Sequence, residues 1–404
     1  MRQVLLLLTL VGAILLAFSG VVLAQQELTE PDASQGDSSQ GDSAPKTPTA
    51  KIPNTYIVVF DEDAVGDPAA VANEHAQANG LQQRFVYRHA IKGYAAVFPN
   101  EQALQRVQSD QRVAYVEQDQ EVKAVAQTLP WGIDRVDADI SSTVAGNGSG
   151  SVNTAVAIID TGIQSSHPDL NVVGGKNCST GNSYEDGNGH GTHVAGTVAA
   201  RDNSAGVVGV APGARLYAVR VLNNSGSGSW SSVICGIDWV TSNSGSIKAA
   251  NMSLGGGASQ SVDDAVRKSV GSGVFYALAA GNDGTDACTK SPARAGAGTN
   301  NGIMTVAATD TANKEASWSN YGSCVDIWAP GVSILSTYKG GGTATLSGTS
   351  MASPHGTGGG ALYRSSHTSA SPSSVESALK SAAKTPGTNS KSGGAIKLEN
   401  VDPF

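Results

Sequence analysis

Five short apolar runs, separated by segments with helical patterns, recur between residues 154 and 308 of this 404-residue chain. They read TAVAIID, ARLYAVRVL, KAANMSL, GVFYALAA and GIMTVAA, and none alternates strictly between apolar and polar residues. A strand that is apolar throughout has both faces buried, as in a parallel sheet covered by helices on both sides. The pattern predicts a three-layer α/β domain with a central, mostly parallel sheet over residues 126–404.

A smaller unit is predicted ahead of this domain, over residues 53–125. Three strand candidates, TYIVVF, GYAAVF and VAYVEQ, alternate with helical stretches at residues 68–79 and 101–109. This order predicts a small α+β domain. Residues 25–52 are rich in Ser, Gly, Asp and Pro and nearly lack large apolar side chains, which predicts a disordered linker.

The N-terminus has the pattern of a secretory signal peptide over residues 1–24. Arg2 is followed by an apolar stretch from residue 4 to 18, and the small residue Ala24 supplies a cleavage site. An uncleaved membrane anchor is the alternative, because apolar residues continue to about the minimum spanning length. A Ser-Gly pair at positions 19 and 20 interrupts the run and favours the signal peptide.

Charge and composition bear on the partners of the chain. Its formal net charge is -8, and aromatic residues make up 5% of it. An acidic chain repels phosphate backbones, and few aromatic rings are present to stack on bases. Nucleic acid is therefore not an expected partner.

Export would place the four cysteines in an oxidising compartment. Two disulfides are then expected among Cys178, Cys235, Cys288 and Cys324, with three possible connectivities.

The segment AVAIIDTGI places Asp160 at the end of a predicted buried strand. The carboxyl ends of parallel strands are where α/β folds carry their active sites. A carboxylate that only makes the turn before Thr-Gly is the alternative.

The segment DGNGHGTHVAGT places His190 and His193 three residues apart as a helix begins. Flanking glycines leave the backbone around His190 open, which suits an imidazole that faces a cleft. Two histidines at this spacing could also bind a metal ion, although the usual neighbouring Glu is absent. A core or capping role is the default for His193.

The segment LSGTSMASPH places Ser350 at the start of another helix. There the helix dipole and free amides favour developing negative charge. A serine at this position that serves only as a helix N-cap is the alternative.

Taken together, these residues supply the parts of nucleophilic acyl transfer. Ser350 is the candidate nucleophile, His190 the base that removes its proton, and Asp160 the group that orients the imidazole. The segment AAGNDG adds Asn282, whose side-chain amide could donate to the oxyanion of a tetrahedral intermediate. An ordinary turn asparagine is the alternative reading of Asn282.

The motifs AIIDTGI, HGTHVAGT, ANMSLGG, AAGND and GTSMASPH, in this order, resemble those of the subtilisin family. SGSGSWSSV, YGSCVDIWAPG and the cysteine placement look closest to its proteinase K-like branch. The resemblance implies a subtilisin-like fold and a secreted serine endopeptidase of broad specificity that works through an acyl-enzyme. By the same resemblance, the enzyme is expected to need no cofactor for catalysis.

The resemblance also implies where a substrate lies. Two segments would pair with its backbone, on either side of an added strand: Gly226, Ser227 and Gly228, and Ser253, Leu254 and Gly255. Ala280 and Gly281, with Asn282, would build the pocket for the residue before the scissile bond. No acidic residue stands among these three, so an apolar or aromatic side chain is expected there.

By the same resemblance, residues 53–125 are an inhibitory propeptide and intramolecular chaperone that the enzyme removes from itself. Its tail would lie in the substrate cleft, with the cut between about residues 121 and 128. The expected partners are protein and peptide substrates and this propeptide. We expect an extracellular monomer with no stable membrane association after processing.

Disulfides and a metal site are implied in the same way. Cys178 should pair with Cys235, and Cys288 with Cys324. Asp326 matches a calcium-ligand position, which backbone carbonyls near residues 301–303 would complete, although an insertion nearby shifts those carbonyls. The resemblance therefore implies structural calcium at Asp326 as an expectation.

The chain departs from the family after the serine motif, where it reads HGTGGGALYR. Four glycines inside a helix would each destabilise it by about 1 kcal/mol relative to Ala. These are Gly356, Gly358, Gly359 and Gly360, and they predict a weakened helix behind Ser350.

Two other functions remain open on the sequence: a binding module that has lost activity, and a metal-dependent hydrolase centred on the two histidines.

Overall fold

The computed structural model describes residues 21–23, 51–120 and 127–404. The chain divides into two compact units, one of residues Asp32–Ala124 and one of Met1–Pro31 together with Val125–Phe404.

The described residues form strands numbered here in chain order. They are β1 Val21–Leu23, β2 Lys51–Phe60, β3 Gln82–Tyr87, β4 Gly93–Val97, β5 Val113–Gln120, β6 Ala155–Asp160, β7 Val172–Asn177, β8 Arg215–Arg220, β9 Ser227–Ser229, β10 Ile247–Met252, β11 Gly256–Gly257, β12 Phe275–Ala279, β13 Lys290–Ser291, β14 Ile303–Thr309, β15 Ile327–Pro330, β16 Ile334–Tyr338 and β17 Gly342–Leu346.

The α-helices in the same part of the chain are α1 Pro68–Asn79, α2 Glu101–Gln108, α3 Trp131–Arg135, α4 His190–Ala199, α5 Trp230–Ser242, α6 Gln260–Gly271, α7 Thr349–Ser366 and α8 Pro372–Ala382. Short 3-10 helices lie at Ala138–Ile140, Ala287–Thr289 and Ala293–Gly296.

The smaller unit is an antiparallel sheet in the order β3-β4-β2-β5, with α1 and α2 packed on it. Its core includes Val58, Tyr94 and Leu104. Local signals set the ends of α1: the Asp67 side chain accepts a hydrogen bond from the amide of Ala69, and Gly80 ends the helix at a left-handed φ of 67°. The two helices and three strands were predicted, but β3 was not.

The larger unit is built on a seven-stranded sheet in the order β15-β14-β12-β10-β6-β8-β7. Every neighbouring pair in it is parallel. The predicted α/β fold with a central, mostly parallel sheet is therefore confirmed. The five apolar runs form β6, β8, β10, β12 and β14, whereas β7 and β15 at the sheet edges were not predicted.

Successive side chains of the central strands enter two separate cores. Ala249 and Phe275 belong to the core that also contains residues of α4 and α7, such as Val198 and Leu362. The next residues, Ala250 and Tyr276, join the core that includes residues of α5 and α6. Both faces of the sheet are thus covered by helices, which explains why these strands are apolar throughout.

Helix α7 runs unbroken through its four glycines, all of which are buried. A Cβ on Gly358 would lie 2.6 Å from Cβ of Val210, and a Cβ on Gly360 would lie 2.6 Å from the ring of Phe275. The missing side chains allow α7 to pack closely against its neighbours. The expectation of a weakened helix counts intrinsic propensity alone and stays a prediction, and this close packing acts in the opposite direction.

Several predicted segments lie wholly or largely outside the described residues: most of the signal peptide, nearly all of the linker, and the propeptide tail at 121–126. Val21–Leu23, within the predicted signal peptide, forms β1, which pairs with β9. Across the described ranges, no helix is both long enough and apolar enough to cross a membrane.

Candidate active site

The imidazole of His190 is hydrogen-bonded to the carboxylate of Asp160 at the carboxyl end of the parallel sheet. Asp160 is the last residue of β6 and is fully buried, and His190 is the first residue of α4. The distance from Nδ1 of His190 to Oδ1 of Asp160 is 2.7 Å. A carboxylate in this position accepts the Nδ1 proton and leaves Nε2 as the basic nitrogen.

Ser350 lies in the first turn of α7, where the helix amides and dipole face its side chain. The residue is 3% exposed. Its hydroxyl donates to the carbonyl oxygen of Ser253 at 3.3 Å, and the hydroxyl of Ser253 donates to the carbonyl oxygen of Ser350 at 2.7 Å. The two segments that carry these serines are therefore joined at the site.

Asn282 follows β12 and contacts the residue before Ser350. Its Oδ1 accepts hydrogen bonds from the amide and the hydroxyl of Thr349. The Thr349 hydroxyl also accepts from the amide of Gly281. Because its oxygen is held in this way, the side chain of Asn282 presents Nδ2 as its remaining donor.

Asp186, which the sequence reasoning passed over, holds the N-terminus of α4. Its carboxylate accepts hydrogen bonds from the amides of Asn188, Gly189 and Thr192, and from the hydroxyls of Thr161 and Thr192. A carboxylate there satisfies free amides and complements the helix dipole. An Asp four residues before the first helical residue was the available signal.

Gly191 allows α4 to approach β6. A Cβ at this position would lie 2.1 Å from the carbonyl oxygen of Gly162 and 3.2 Å from the side chain of Asp160. Only glycine fits this close contact, which brings His190 within reach of Asp160.

Asn251 is a second buried polar residue that was missed. It lies in β10 and is fully buried; its Oδ1 accepts from the hydroxyls of Ser353 and Thr357 on α7, and its Nδ2 donates to Ser253. The network connects β10 to the helix that carries Ser350. An asparagine in the middle of an apolar strand was the signal for it.

The predicted substrate-binding segments lie along β9 and next to β11. Ser227 and Gly228 belong to β9, Gly226 precedes it at a φ of 74°, and Ser253, Leu254 and Gly255 lead from β10 to β11. Strand β1 pairs antiparallel with β9, with Val22 opposite Gly228, and it also contacts β11. An extended stretch of backbone thus contacts both β9 and β11, the strand that directly follows the second segment.

Ala280 and Gly281 connect β12 to Asn282. Ala280 is fully buried, and its carbonyl oxygen accepts from Nδ2 of Asn320 at 2.9 Å. The amide of Asn320 donates to the carbonyl oxygen of Gly281 at 2.7 Å. Asn320 therefore holds the backbone of this predicted pocket wall.

The second histidine of the HGTH motif has a different environment. His193 is fully buried, and its Nε2 lies 3.0 Å from the carbonyl oxygen of Ile334 and 3.1 Å from that of Ala344. Burial lowers the pKa of His193 to about 3. His193 therefore fastens the β16–β17 hairpin to α4, which is the core role expected by default. Among the described residues, no group of three or more His, Cys, Asp or Glu side chains is placed to hold a metal ion.

The structure contains both disulfides that the resemblance implied. Cys178 is joined to Cys235 and Cys288 to Cys324, with Cα atoms 6.0 Å and 5.3 Å apart. The first bridge connects the segment after β7 to α5.

The residues around Asp326 do not fit the expected calcium ion. Its Oδ1 accepts from the ammonium group of Lys380 at 2.8 Å, and its Oδ2 accepts from the amide of Thr305 at 2.9 Å. Lys380 also lies 3.1 Å from Oε1 of Glu376. The ammonium group of Lys380 already forms ion pairs with both carboxylates, so the residues present at Asp326 do not fit a calcium ion.

Comparison with known families assigns both units. Residues 151–395 match the model of the subtilase family, and residues 55–124 match that of peptidase inhibitor I9. The first match covers more than half of the chain. The chain therefore belongs to the subtilase family: it is a subtilisin-like serine peptidase that carries an inhibitory propeptide domain.

Individual relatives agree with this assignment. The chain is 44% identical over 359 residues to an extracellular serine proteinase of Thermus sp. strain Rt41A, covering 81% of this chain and 84% of the relative. It is 42% identical over 336 residues to subtilisin NAT of Bacillus subtilis subsp. natto, with the same two coverages. The crystal structure of a cold adapted subtilisin-like serine proteinase superposes with a TM-score of 0.59 at 38% identity, covering 66% of this chain and 96% of the other.

Proposed function

We propose that the protein is a secreted serine endopeptidase in which Ser350, His190 and Asp160 form the catalytic triad. The observation that carries the proposal is the 2.7 Å hydrogen bond between His190 and Asp160, at the same sheet edge as the first turn of the Ser350 helix. The reaction is hydrolysis of peptide bonds in proteins through an acyl-enzyme. It needs no cofactor.

In the first half of the reaction, His190 takes the hydroxyl proton of Ser350 as Oγ bonds to the scissile carbonyl carbon. His190 then gives this proton to the leaving amine as the carbon–nitrogen bond breaks. In the second half, His190 takes a proton from the water that attacks the acyl carbon, and gives it to Oγ of Ser350 as the bond between that carbon and Oγ breaks. Asp160 stabilises the imidazolium in both halves, and its burial strengthens that interaction.

Asn282 is the proposed oxyanion donor. The carbonyl oxygen of the substrate becomes negatively charged in the tetrahedral intermediate, and a fixed amide donor stabilises that charge more than it stabilises the ground state. Support comes from Thr349, which holds the side-chain oxygen of Asn282 and leaves its NH₂ group for the substrate.

Substrate is proposed to bind as an extended strand between Ser227–Ser229 and the segment of Ser253, Leu254 and Gly255. The pairing of β1 with β9 supports this, because it places an antiparallel strand on that edge. Backbone pairing is largely independent of sequence, so specificity is broad. Ala280 and Gly281 carry no charge, which favours an apolar or aromatic residue before the scissile bond.

We further propose that the protein is made as a self-processing precursor. Removal of the signal peptide near Ala24 is followed by cleavage between about residues 121 and 128, which releases the propeptide. The inhibitor-type match at residues 55–124 supports inhibition by that domain until its release. The extracellular relative supports secretion, and the two disulfides favour an oxidising compartment and the proteinase K-like branch.

The test compares the precursor with its Ser350→Ala variant, and uses Ser366→Ala at the exposed end of α7 as the matched serine control. We expect the parent and Ser366→Ala to cut themselves near residue 125 and then to hydrolyse a denatured protein. Ser350→Ala should do neither. Self-cleavage or parental hydrolysis by Ser350→Ala, seen by mass spectrometry and a casein assay, would refute the proposal.

A further inference from the structure

A cleft of about 540 Å³ opens at the edge of the sheet opposite the candidate active site. Lys248 at the start of β10, Gly273 before β12 and Asn301 before β14 line it, so it lies at the amino ends of these strands. Asp160, in contrast, ends β6. The two sites are separated by about 20 Å, the length of a six-residue strand.

Arg364 is a buried cation in the wall of this cleft. The residue is 6% exposed, and among the described residues its side chain makes one hydrogen bond, from Nη1 to the carbonyl oxygen of Ala370 at 2.5 Å. Its Nε is buried and has no hydrogen-bond partner among the described residues. No carboxylate in the described ranges forms an ion pair with it.

Lys248 places a second positive charge next to Arg364. Burial lowers the pKa of Lys248, and the charge of Arg364 lowers it further, which reflects the closeness of the two cations. The ammonium group of Lys248 is hydrogen-bonded to the carbonyl oxygen of Ser244 at 2.8 Å. Buried charges in proteins are normally paired, and two adjacent cations without a counter-charge are unfavourable.

The first turn of α8 closes the same cleft. Ser371, Pro372 and Ser373 line it, and the helix is 11 residues long. The N-terminal end of a helix carries partial positive charge and favours an anion. Thr368 and Ser369 are also lining residues, and the lining contains no Asp or Glu.

We infer that this cleft is a binding site for a small tetrahedral oxyanion, phosphate or sulfate, held between Arg364, Lys248 and the start of α8. Such an anion supplies the missing counter-charge. Its four oxygens can accept from the guanidinium group, the ammonium group and several hydroxyls at once, whereas a carboxylate has only two oxygens. The anion bridges the last turn of α7 to α8, and its binding stabilises the end of the helix that carries Ser350.

The test measures thermal unfolding of the full chain in a Ser350→Ala background, which prevents self-digestion. Sodium phosphate, sulfate or acetate is titrated at constant ionic strength, with chloride as the balancing anion. We expect phosphate and sulfate to raise Tm saturably and acetate to have no effect beyond that of chloride. A response to acetate alone, or no response beyond that of chloride, would overturn the site.

Variants locate the effect. Arg364→Leu is expected to weaken phosphate binding at least tenfold, Lys248→Ala by several-fold, and the exposed control Arg267→Leu not at all. Parental binding by Arg364→Leu would place the anion elsewhere. If Arg364→Leu does not fold, Lys248→Ala decides: an unchanged dissociation constant contradicts the inference.

Discussion

The side-chain oxygen of Asn282 accepts two hydrogen bonds from Thr349, one from its amide at 2.9 Å and one from its hydroxyl at 2.8 Å. Thr349 is the residue directly before Ser350, so the candidate oxyanion donor is fixed to the same helix turn as the candidate nucleophile. A donor that is fixed before the reaction requires no reorganisation in the transition state.

Asn282→Ala should therefore lower kcat and leave KM nearly unchanged. Loss of such a donor from subtilisin lowers kcat roughly 100- to 1000-fold, and we expect the same range here. Steady-state kinetics on a peptide amide check this, with the exposed Asn147→Ala as control. A kcat within about threefold of the parent would exclude Asn282 from the oxyanion site.

Gly358→Ala should destabilise the protein by about 1–3 kcal/mol, because its new Cβ would overlap Val210 inside a packed core. The matched control is Gly271→Ala at the end of α6, where nothing lies within 4 Å of the added methyl group. That change should be neutral or stabilise by about 0.5–1 kcal/mol. Equal urea midpoints for the two variants would show that close packing of α7 does not explain why glycine occupies these positions.

The fold was largely predictable because burial leaves a direct trace in sequence. Strand β12 is apolar on both faces and β6 is apolar up to Asp160, so their runs are visible without any structure. The edge strand β7 reads VVGGKN, half-buried and rich in glycine, so its sequence resembles a loop. Strand β15 has only four residues and ends in proline, so its sequence gives only a weak strand pattern.

The motif residues of the candidate site were predictable from the sequence. The hydrogen bonds and ion pairs that hold those residues in place were less so. Asp160, His190 and Ser350 stand in distinctive local sequences, but the bonds from Thr349 to Asn282 join residues 67 positions apart. The pairing of Lys380 with Asp326 spans 54 positions and depends on where α8 packs. Tertiary contacts of this kind have no local pattern.

Glu399 should make stability fall as pH rises. Its carboxyl group is fully buried without a hydrogen-bond partner among the described residues, and burial raises its pKa to about 8. Between the unfolded pKa near 4.5 and the folded value near 8, the folded state holds a proton that the unfolded state has lost. Each pH unit in this window therefore lowers the free energy of unfolding by about 1.4 kcal/mol.

The measurement is urea unfolding of Glu399→Gln and its parent at pH 5 to 9, both carrying Ser350→Ala. Glutamine removes the titration, so the stability gap between the two proteins should change steadily in favour of Glu399→Gln as pH rises. A gap that stays constant would contradict the buried neutral carboxyl.

Lys380→Met should destabilise the protein by roughly 3 kcal/mol, because it leaves the buried carboxylates of Asp326 and Glu376 without their cation. This is the lower end for a buried pair, since the Lys380 side chain is partly exposed. Lys268→Met, exposed on α6, is the control and should change stability little. Denaturant unfolding at pH 7 checks both, and equal losses would mean that Lys380 does not act as the local counter-charge.

The most direct test of the central claim is mass spectrometry of the processed protein after treatment with a fluorophosphonate. A serine activated by His190 should be phosphonylated, which forms one adduct per chain on Ser350 and abolishes hydrolysis. His190→Ala should prevent the reaction. Full peptidase activity without an adduct, or with an adduct on another residue, would contradict the assignment of Ser350 as the nucleophile.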